Sequence, residues 1–207
     1  IVLCLVGSEM CIRDRTIRHK ISLDKSIDIL KNLKKDLKIS ITSDVHETFQ
    51  VDKLAEFLDV IQIPAFLCRQ TDLIKAAAQT KKIVNVKKGQ FLSHKEVSNI
   101  INKIENENNK KILITERGNS FGYNYLINDF KGIHLMKTFG YPIIFDSTHS
   151  VQLPGGLGKK SGGAREYVTP LSKAASSLRI AGFFIETHPN PETVSYTHLT
   201  LPTNSRV

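Results

Sequence analysis

VDKLAEFLDVIQIPAFLCRQTDLIKAAAQTKKIVNVKKGQ, residues 51–90, decides the fold of this chain. VDKLAEFL has helical spacing of its apolar residues and runs into DVIQI, a short apolar segment of strand length. QTDLIKAAAQT is helical again and runs into KIVNVK, which is again strand-like. Helix followed by strand, twice in succession, is the unit of a parallel sheet with crossover helices.

The same beat extends in both directions. Upstream, ISLDKSIDILKNLKKDL places Ile27, Leu30, Leu33 and Leu37 at helical spacing, with Ser22 as N-cap, and leads into LKISITSD. Downstream, SHKEVSNIINKIENE leads into KILITE, FGYNYLINDFKGIHLMK into YPIIFD, and GGAREYVTPLSKAASSLRI into AGFFIE. Six strands are expected, near 39–43, 59–63, 83–87, 112–116, 142–146 and 182–186, each after a helix. The fold class is α/β, either an open doubly wound sheet or a (β/α) barrel. No strand opens onto a glycine-rich dinucleotide fingerprint or a P-loop, which argues against the nucleotide-binding versions.

The strand exits favour the barrel. They read SDVHE, IQIPAF, NVKKGQ, TERGNSFG, DSTHSVQ and ETHPNPE, each releasing charged or hydrogen-bonding residues directly after an apolar run. In a parallel barrel all of these share the C-terminal face, where barrel enzymes place their chemistry. FDSTHSVQLPGG, residues 145–156, shows the change most sharply: a buried strand delivers His149 into a diglycine loop. Six polar exits in succession make His149 one member of a ring of functional groups.

Composition bounds the alternatives. The 207 residues, 41% hydrophobic and 24% charged, suit one globular domain. The net charge of +9 lies largely in helix-like lysine stretches, with aromatics at 7% and no Trp, so it reads as solvated helix faces and not a nucleic-acid surface. It also suits an enzyme of anionic substrates, because a positive field concentrates them. Three Cys without metal-like spacing do not make a disulfide framework. No segment has the length of a membrane span, and IVLCLV lacks a basic leader, so a soluble cytoplasmic protein is expected.

From residue types alone, Lys87 (with Lys88) and Arg117 are anion clamps. Asp44, Glu116, Asp146 and Glu186 are the carboxylates at the exits, and His46, His149 and His188 the imidazoles. A His and a carboxylate from different strands suit a divalent-metal site or an acid/base pair. Lys87 is also open to a Schiff-base reading, and LPGGLGKKSGGARE to that of a glycine-hinged lid.

TSDVHE, DVIQIPAFLCRQTDL, NVKKGQF, TERGNSFGYNYLINDF, FDSTHSVQLPGG, SGGAREYVTPLSKAA and ETHPNPE together resemble 3-deoxy-D-manno-octulosonate 8-phosphate synthases, from about Arg18 to Glu192. The resemblance implies a (β/α)8 barrel, usually tetrameric, that condenses phosphoenolpyruvate with D-arabinose 5-phosphate and releases phosphate. The product is the inner-core sugar of Gram-negative lipopolysaccharide. It implies that Lys87 and Arg117 bind phosphoenolpyruvate, with the backbone around Pro64 and Ala65 holding its phosphate and Gln62 among the substrate-binding residues. Asp44 is then beside the reacting aldehyde, and His149 is catalytic. Phe66 and Arg69 reach a neighbouring subunit's pocket, Arg69 towards the sugar phosphate. THSVQLPGG followed by SGGAREYVTPL is similar to the metal-dependent branch, in which His149 and Glu186 are two ligands of a divalent cation. An N-terminal Cys and a later Asp complete that set; neither Cys4 nor Cys11 is assigned to it. A sister synthase using erythrose 4-phosphate is the nearest alternative.

Residues 1–15 and 194–207 share neither the beat nor a period, and read as segments foreign to a partial barrel at 16–193. No strand is expected from them, which leaves the strand at 39–43 as an unpaired edge. With about six units present, an inactive fragment is the expectation for the chain as it stands.

Overall fold

A computed structural model describes residues 3–4, 23–154 and 162–187. Its first half runs β1 (Leu3–Cys4), α1 (Leu23–Leu37), β2 (Ile41–Asp44), α2 (Thr48–Ala55), β3 (Val60–Ile63), α3 (Thr71–Gln79) and β4 (Ile83–Lys87). There follow α4 (Val97–Glu105), β5 (Ile112–Glu116), a hairpin of β6 (Asn119–Phe121) and β7 (Tyr125–Ile127), and α5 (Phe130–Lys137). The described chain closes with β8 (Ile143–Asp146), β9 (Gln152–Leu153), β10 (Gly162–Gly163), α6 (Val168–Ser177) and β11 (Gly182–Phe184).

The six expected strands are all present and pair in parallel, in the spatial order β2-β3-β4-β5-β8-β11. Each neighbour in space is the next helix-strand unit in sequence, so the sheet is the wall of an incomplete (β/α) barrel. Side chains alternate across it. Ile41, Ile61, Ile63, Val84, Val86, Ile112, Ile114, Ile143 and Phe145 are buried in the core with Leu54, Ile74, Ile100, Ile104, Ile133 and Met136 of the helices. Burying one such side chain is worth roughly 1.5–3 kcal/mol, so this interface dominates the stability of the wall. Asp44, Gln62, Asn85, Lys87, Thr115 and Asp146 occupy the alternate positions, on the inner face.

Among the described residues, five of the six α-helices stop by a shared device. Lys38, Lys81, Asn108, Gly140 and Arg179 follow α1, α3, α4, α5 and α6 with positive φ, between 51° and 83°. Each turns the chain back toward the sheet, the non-glycine ones at roughly 1–2 kcal/mol of backbone cost.

Three expectations need correction. Leu3–Cys4 pairs in parallel with Ile41–Thr42, so the first fifteen residues do contribute a strand, and the edge at β2 is covered there. The bond pattern of a parallel ladder needs only extended backbone, which Leu3–Cys4 has without any amphipathic period around it. FGYNYL does not begin a helix: Asn119–Phe121 and Tyr125–Ile127 form an antiparallel hairpin. Gly118 and Gly122, at φ 92° and 68°, turn the chain there, and Asp129 starts α5 later by accepting from the Gly132 N–H at 3.0 Å. The last strand ends at Phe184, short of Glu186. The expected N-cap Ser22, most of the glycine-rich loop after Pro154, His188 and the 194–207 segment lie outside the described residues.

Candidate active site

The exits of β4, β5 and β8 are joined through charged side chains. Lys87, 2% exposed, donates from Nζ to Asp146 Oδ2 at 2.8 Å, with Nζ also 3.3 Å from the centre of the Phe184 ring. Asp146 accepts from the His149 backbone N–H and faces its Nδ1, both at 2.8 Å. The other ring nitrogen, Nε2, lies 3.5 Å from Glu186 Oε1. Glu186 is tied back in turn, its N–H donating to Thr148 Oγ1 at 2.8 Å. Arg117 closes the circle, with Nη2 reaching the His149 carbonyl at 3.4 Å and Gln152 Oε1 at 2.8 Å, and Nη1 reaching Gln90 Oε1 at 3.3 Å.

The electrostatics follow from this packing. Burial alone would raise the Asp146 carboxyl; the charges and hydrogen bonds of His149 and Lys87 outweigh it and hold the group well below the usual carboxylate range. Burial would likewise lower the His149 imidazole, but Asp146, aided by Glu186 against Lys87, pushes it up to about 9. Near neutral pH His149 therefore joins Lys87 and Arg117 as a cation beside Asp146 and Glu186 among the described residues. Such a grouping suits an anionic ligand.

A second chain of bonds runs along the same inner face. Thr115 Oγ1 donates to Asn85 Oδ1 at 2.8 Å, Asn85 Nδ2 to Gln62 Oε1 at 2.9 Å, and Gln62 Nε2 to Asp44 Oδ1 at 2.7 Å. All donors point the same way, so the chain ends on the carboxylate and orients it. His46 stands beside it, Nε2 3.9 Å from Asp44 Oδ2. Downstream, Gln50 Oε1 accepts from the N–H groups of His46 and Glu47 at 3.0 and 3.2 Å, which fixes the turn out of β2.

The structure thus brings together Lys87, Arg117, His149 and Glu186, and places Asp44 and Gln62 on the adjoining strands. Ala65 is buried in a 3-10 turn beside the β4 exit: a Cβ on Gly89 would lie 3.0 Å from the Ala65 carbonyl, so glycine lets the two loops touch. Phe66, 69% exposed, and Arg69 point to solvent and take no part in the cluster. Cys68 between them is fully buried, a core residue. Glu116 departs from its expected place, because alternation turns it and Lys88 to the opposite face. Asn85, Thr115, Gln90 and Gln152 were not singled out from the sequence. The signal for Asn85 is its position two residues before Lys87, which puts both on one face of β4.

His149 and Glu186 suit a cation in part. Asp146 holds Nδ1 and turns Nε2 toward Glu186, the way a metal-ligating His is oriented by a carboxylate behind it. Among the described residues no third His, Cys, Asp or Glu completes a metal-binding group.

The sequence pattern of the DAHP synthetase I family matches residues 20–200. The chain belongs to that family. Among family members, the 2-dehydro-3-deoxyphosphooctonate aldolase of Rhodopseudomonas palustris is 53% identical over 173 residues, 83% of this chain and 60% of the relative. The protein of the same name in Trichlorobacter lovleyi is 52% identical over 169 residues, 82% and 62% of the two chains. That of a Cyanothece species is 49% identical over 171 residues, 83% and 63%. The chain spans about three fifths of the length of the curated relatives it matches. Among the described residues no helix is long and apolar enough to cross a membrane.

Proposed function

We propose that this protein condenses phosphoenolpyruvate with D-arabinose 5-phosphate and water to give 3-deoxy-D-manno-octulosonate 8-phosphate and phosphate, in the cytoplasm, for lipopolysaccharide synthesis. The observation that carries the reading is the linked cluster of Lys87, Arg117 and His149, which gathers three cations at the strand exits of a family member. The relatives' shared name supports the eight-carbon product over the erythrose 4-phosphate reaction.

In this reading Lys87 and Arg117 hold the phosphate and carboxylate of phosphoenolpyruvate, Lys87 as a point charge and Arg117 as a planar fork. The backbone at Pro64 and Ala65, with Gln62, completes its seat. The methylene carbon of phosphoenolpyruvate forms a bond to the aldehyde carbon, whose oxygen takes up a proton. Water adds to the central carbon, the bond from that carbon to the phosphate oxygen breaks, and phosphate leaves. Asp44, aimed by Gln62, stands beside the aldehyde. His149, once Nε2 has given up its proton, and Glu186 would together hold a divalent cation, which when bound supplies polarisation of a substrate oxygen. Phe66 and Arg69, exposed here, meet the sugar phosphate in the site of a neighbouring copy within a tetramer.

The test is phosphate release by the purified protein with each substrate alone, with both, and with erythrose 4-phosphate as the competing aldehyde. Release that requires phosphoenolpyruvate and arabinose 5-phosphate together, and is lost in Lys87→Ala, is expected. Substrate binding without release would withdraw the catalytic half of the reading.

A further inference from the structure

Behind the cation cluster, on the helix-facing side of β4 and β5, lies a second buried set of charges that the proposed reaction does not use. Lys88 is fully buried. Its Nζ donates to the carbonyls of Gly89 and Leu92 at 3.3 and 3.2 Å and to Asn119 Oδ1 at 2.7 Å, and lies 3.5 Å from Glu116 Oε2. Glu116, also without exposure, faces His94 Nε2 at 3.0 Å through the same oxygen, while Oε1 accepts from the Gly118 N–H at 2.6 Å. His94 Nδ1 lies 3.6 Å from Asp129, the residue that caps α5.

Burying charges here is costly, and apolar side chains of similar size would hold these loops together at least as well. What the charges supply is geometry, and its beneficiary is Arg117. The Glu116 carboxylate fixes the backbone on the far side of Arg117 by gripping Gly118, whose φ of 92° makes the turn. At the other end of the side chain, the guanidinium rests on Gln90. Gln90 sits between the two carbonyls that Lys88 holds, and its own carbonyl accepts from the Ser120 N–H at 2.9 Å. One ion pair therefore anchors both the root and the tip support of Arg117.

We infer that Lys88 and Glu116 are positioning residues for anion binding, aiming the Arg117 fork, with Gln90 as the contact that transmits their effect. The inference rests on the reading of Lys87 and Arg117 as the phosphoenolpyruvate clamp. It is tested by titrating phosphoenolpyruvate calorimetrically into the purified chain, the double variant Lys88→Met/Glu116→Gln and the single variant Gln90→Leu, with a thermal melt of each. The double variant removes both buried charges at once but takes the donor from the Gly89 and Leu92 carbonyls and Asn119 Oδ1. Its melt is therefore expected below the parent's yet above the titration temperature, while affinity falls about ten- to hundredfold, the scale of losses when a supporting residue is removed. Gln90→Leu leaves the ion pair intact and is expected to lose affinity by a similar factor. Unchanged affinity in Gln90→Leu overturns the inference, whatever the double variant does, and so does a double variant that binds as the parent does. A parent chain that binds no phosphoenolpyruvate overturns the clamp reading and this inference with it, whereas a parent that binds beside variants that also bind overturns the inference alone.

Discussion

Lys87 and Lys88 are adjacent, equally buried, and face opposite sides of β4. Lys87 joins a cluster in which cations outnumber carboxylates and hydrogen bonds converge on one acceptor, Asp146. Lys88 joins a set in which its charge is matched by Glu116 and its bonds hold the loop after β4 and tie it to the one after β5. The difference teaches what alternation does with a single dipeptide: the inner lysine is left in electrostatic surplus for a ligand, and the outer one is consumed in structure. The same division separates Arg117 from Glu116 one strand away.

The comparison is tested hardest by removing one carboxylate from each side. Asp146→Asn leaves Lys87 and His149 facing each other without their shared anion, and Glu116→Gln leaves Lys88 uncompensated. Each is expected to lose about 3–5 kcal/mol of unfolding free energy, the usual cost of breaking a buried pair. Phosphoenolpyruvate distinguishes them. An arriving anion replaces Asp146 as the partner of Lys87, so the Asp146→Asn deficit should narrow at saturating ligand in urea unfolding. No ligand reaches Lys88, and losing Glu116 weakens the grip of Arg117, so the Glu116→Gln deficit should not narrow but widen at saturating ligand. Equal narrowing in both would erase the distinction between the two faces.

Gly132 offers a smaller test from the outer side. A Cβ there would lie 2.2 Å from His94 Nδ1, so the ring that contacts Glu116 packs directly on the α5 backbone. Inside a helix, Gly→Ala ordinarily stabilises by roughly 1 kcal/mol. Here the clash should reverse the sign, with Gly132→Ala losing about 1–3 kcal/mol as overpacking does. In a His94→Ala background the obstruction is gone and the substitution should stabilise again. A Gly132→Ala variant more stable than its parent when His94 is present would show that the ring does not sit where the outer network needs it.

Much of this was legible in the sequence. Strands β4 and β5 fall at 83–87 and 112–116 as read, because an apolar run bounded by charged residues leaves little choice of register. Lys87, Arg117, His149 and Glu186 were found because they stand at strand exits, and topology alone brings exits together. What escaped depended on direction and not on position. Glu116 stands at an exit too, but a shift of one residue from Thr115 turns it to the other face. Asn85 and Thr115 lie inside apolar strings, where nothing but the period-two face they share with Lys87 marks them. The hairpin at 119–127 was hidden because a tyrosine-rich run flanking Gly122 has apolar spacing compatible with a helix until the turn is placed.

The smallest expected effect comes from a pair that belongs to neither face. Lys34 donates to Asp59 Oδ1 at 2.8 Å, and Asp59 Oδ2 accepts from the Ile41 N–H at 2.9 Å, joining α1 to the start of β2. Both side chains are about a third exposed. Slight burial would raise the Asp59 carboxyl, but the Lys34 hydrogen bond and the Ile41 N–H outweigh it, so the group sits below its ordinary value. A carboxyl depressed in the folded state stabilises above its unfolded value, near pH 4, and that contribution disappears as the pH falls through the lower folded value. Lys34→Met should therefore cost about 0.2–1 kcal/mol at pH 7, the range of exposed pairs, and less once Asp59 is protonated in both states, when only the bond from Lys34 Nζ to the Phe57 carbonyl at 2.8 Å is lost. Added salt should shrink this cost, because solvent screens exposed charges, while the cost of Glu116→Gln should hardly respond. Unfolding curves of the two variants at low and high salt, at pH 7 and in acid, check both statements. A Lys34→Met deficit that grows on acidification would overturn the depressed Asp59 carboxyl, and a Glu116→Gln deficit as salt-sensitive as that of Lys34→Met would mean that the outer network is as open to solvent as a surface pair.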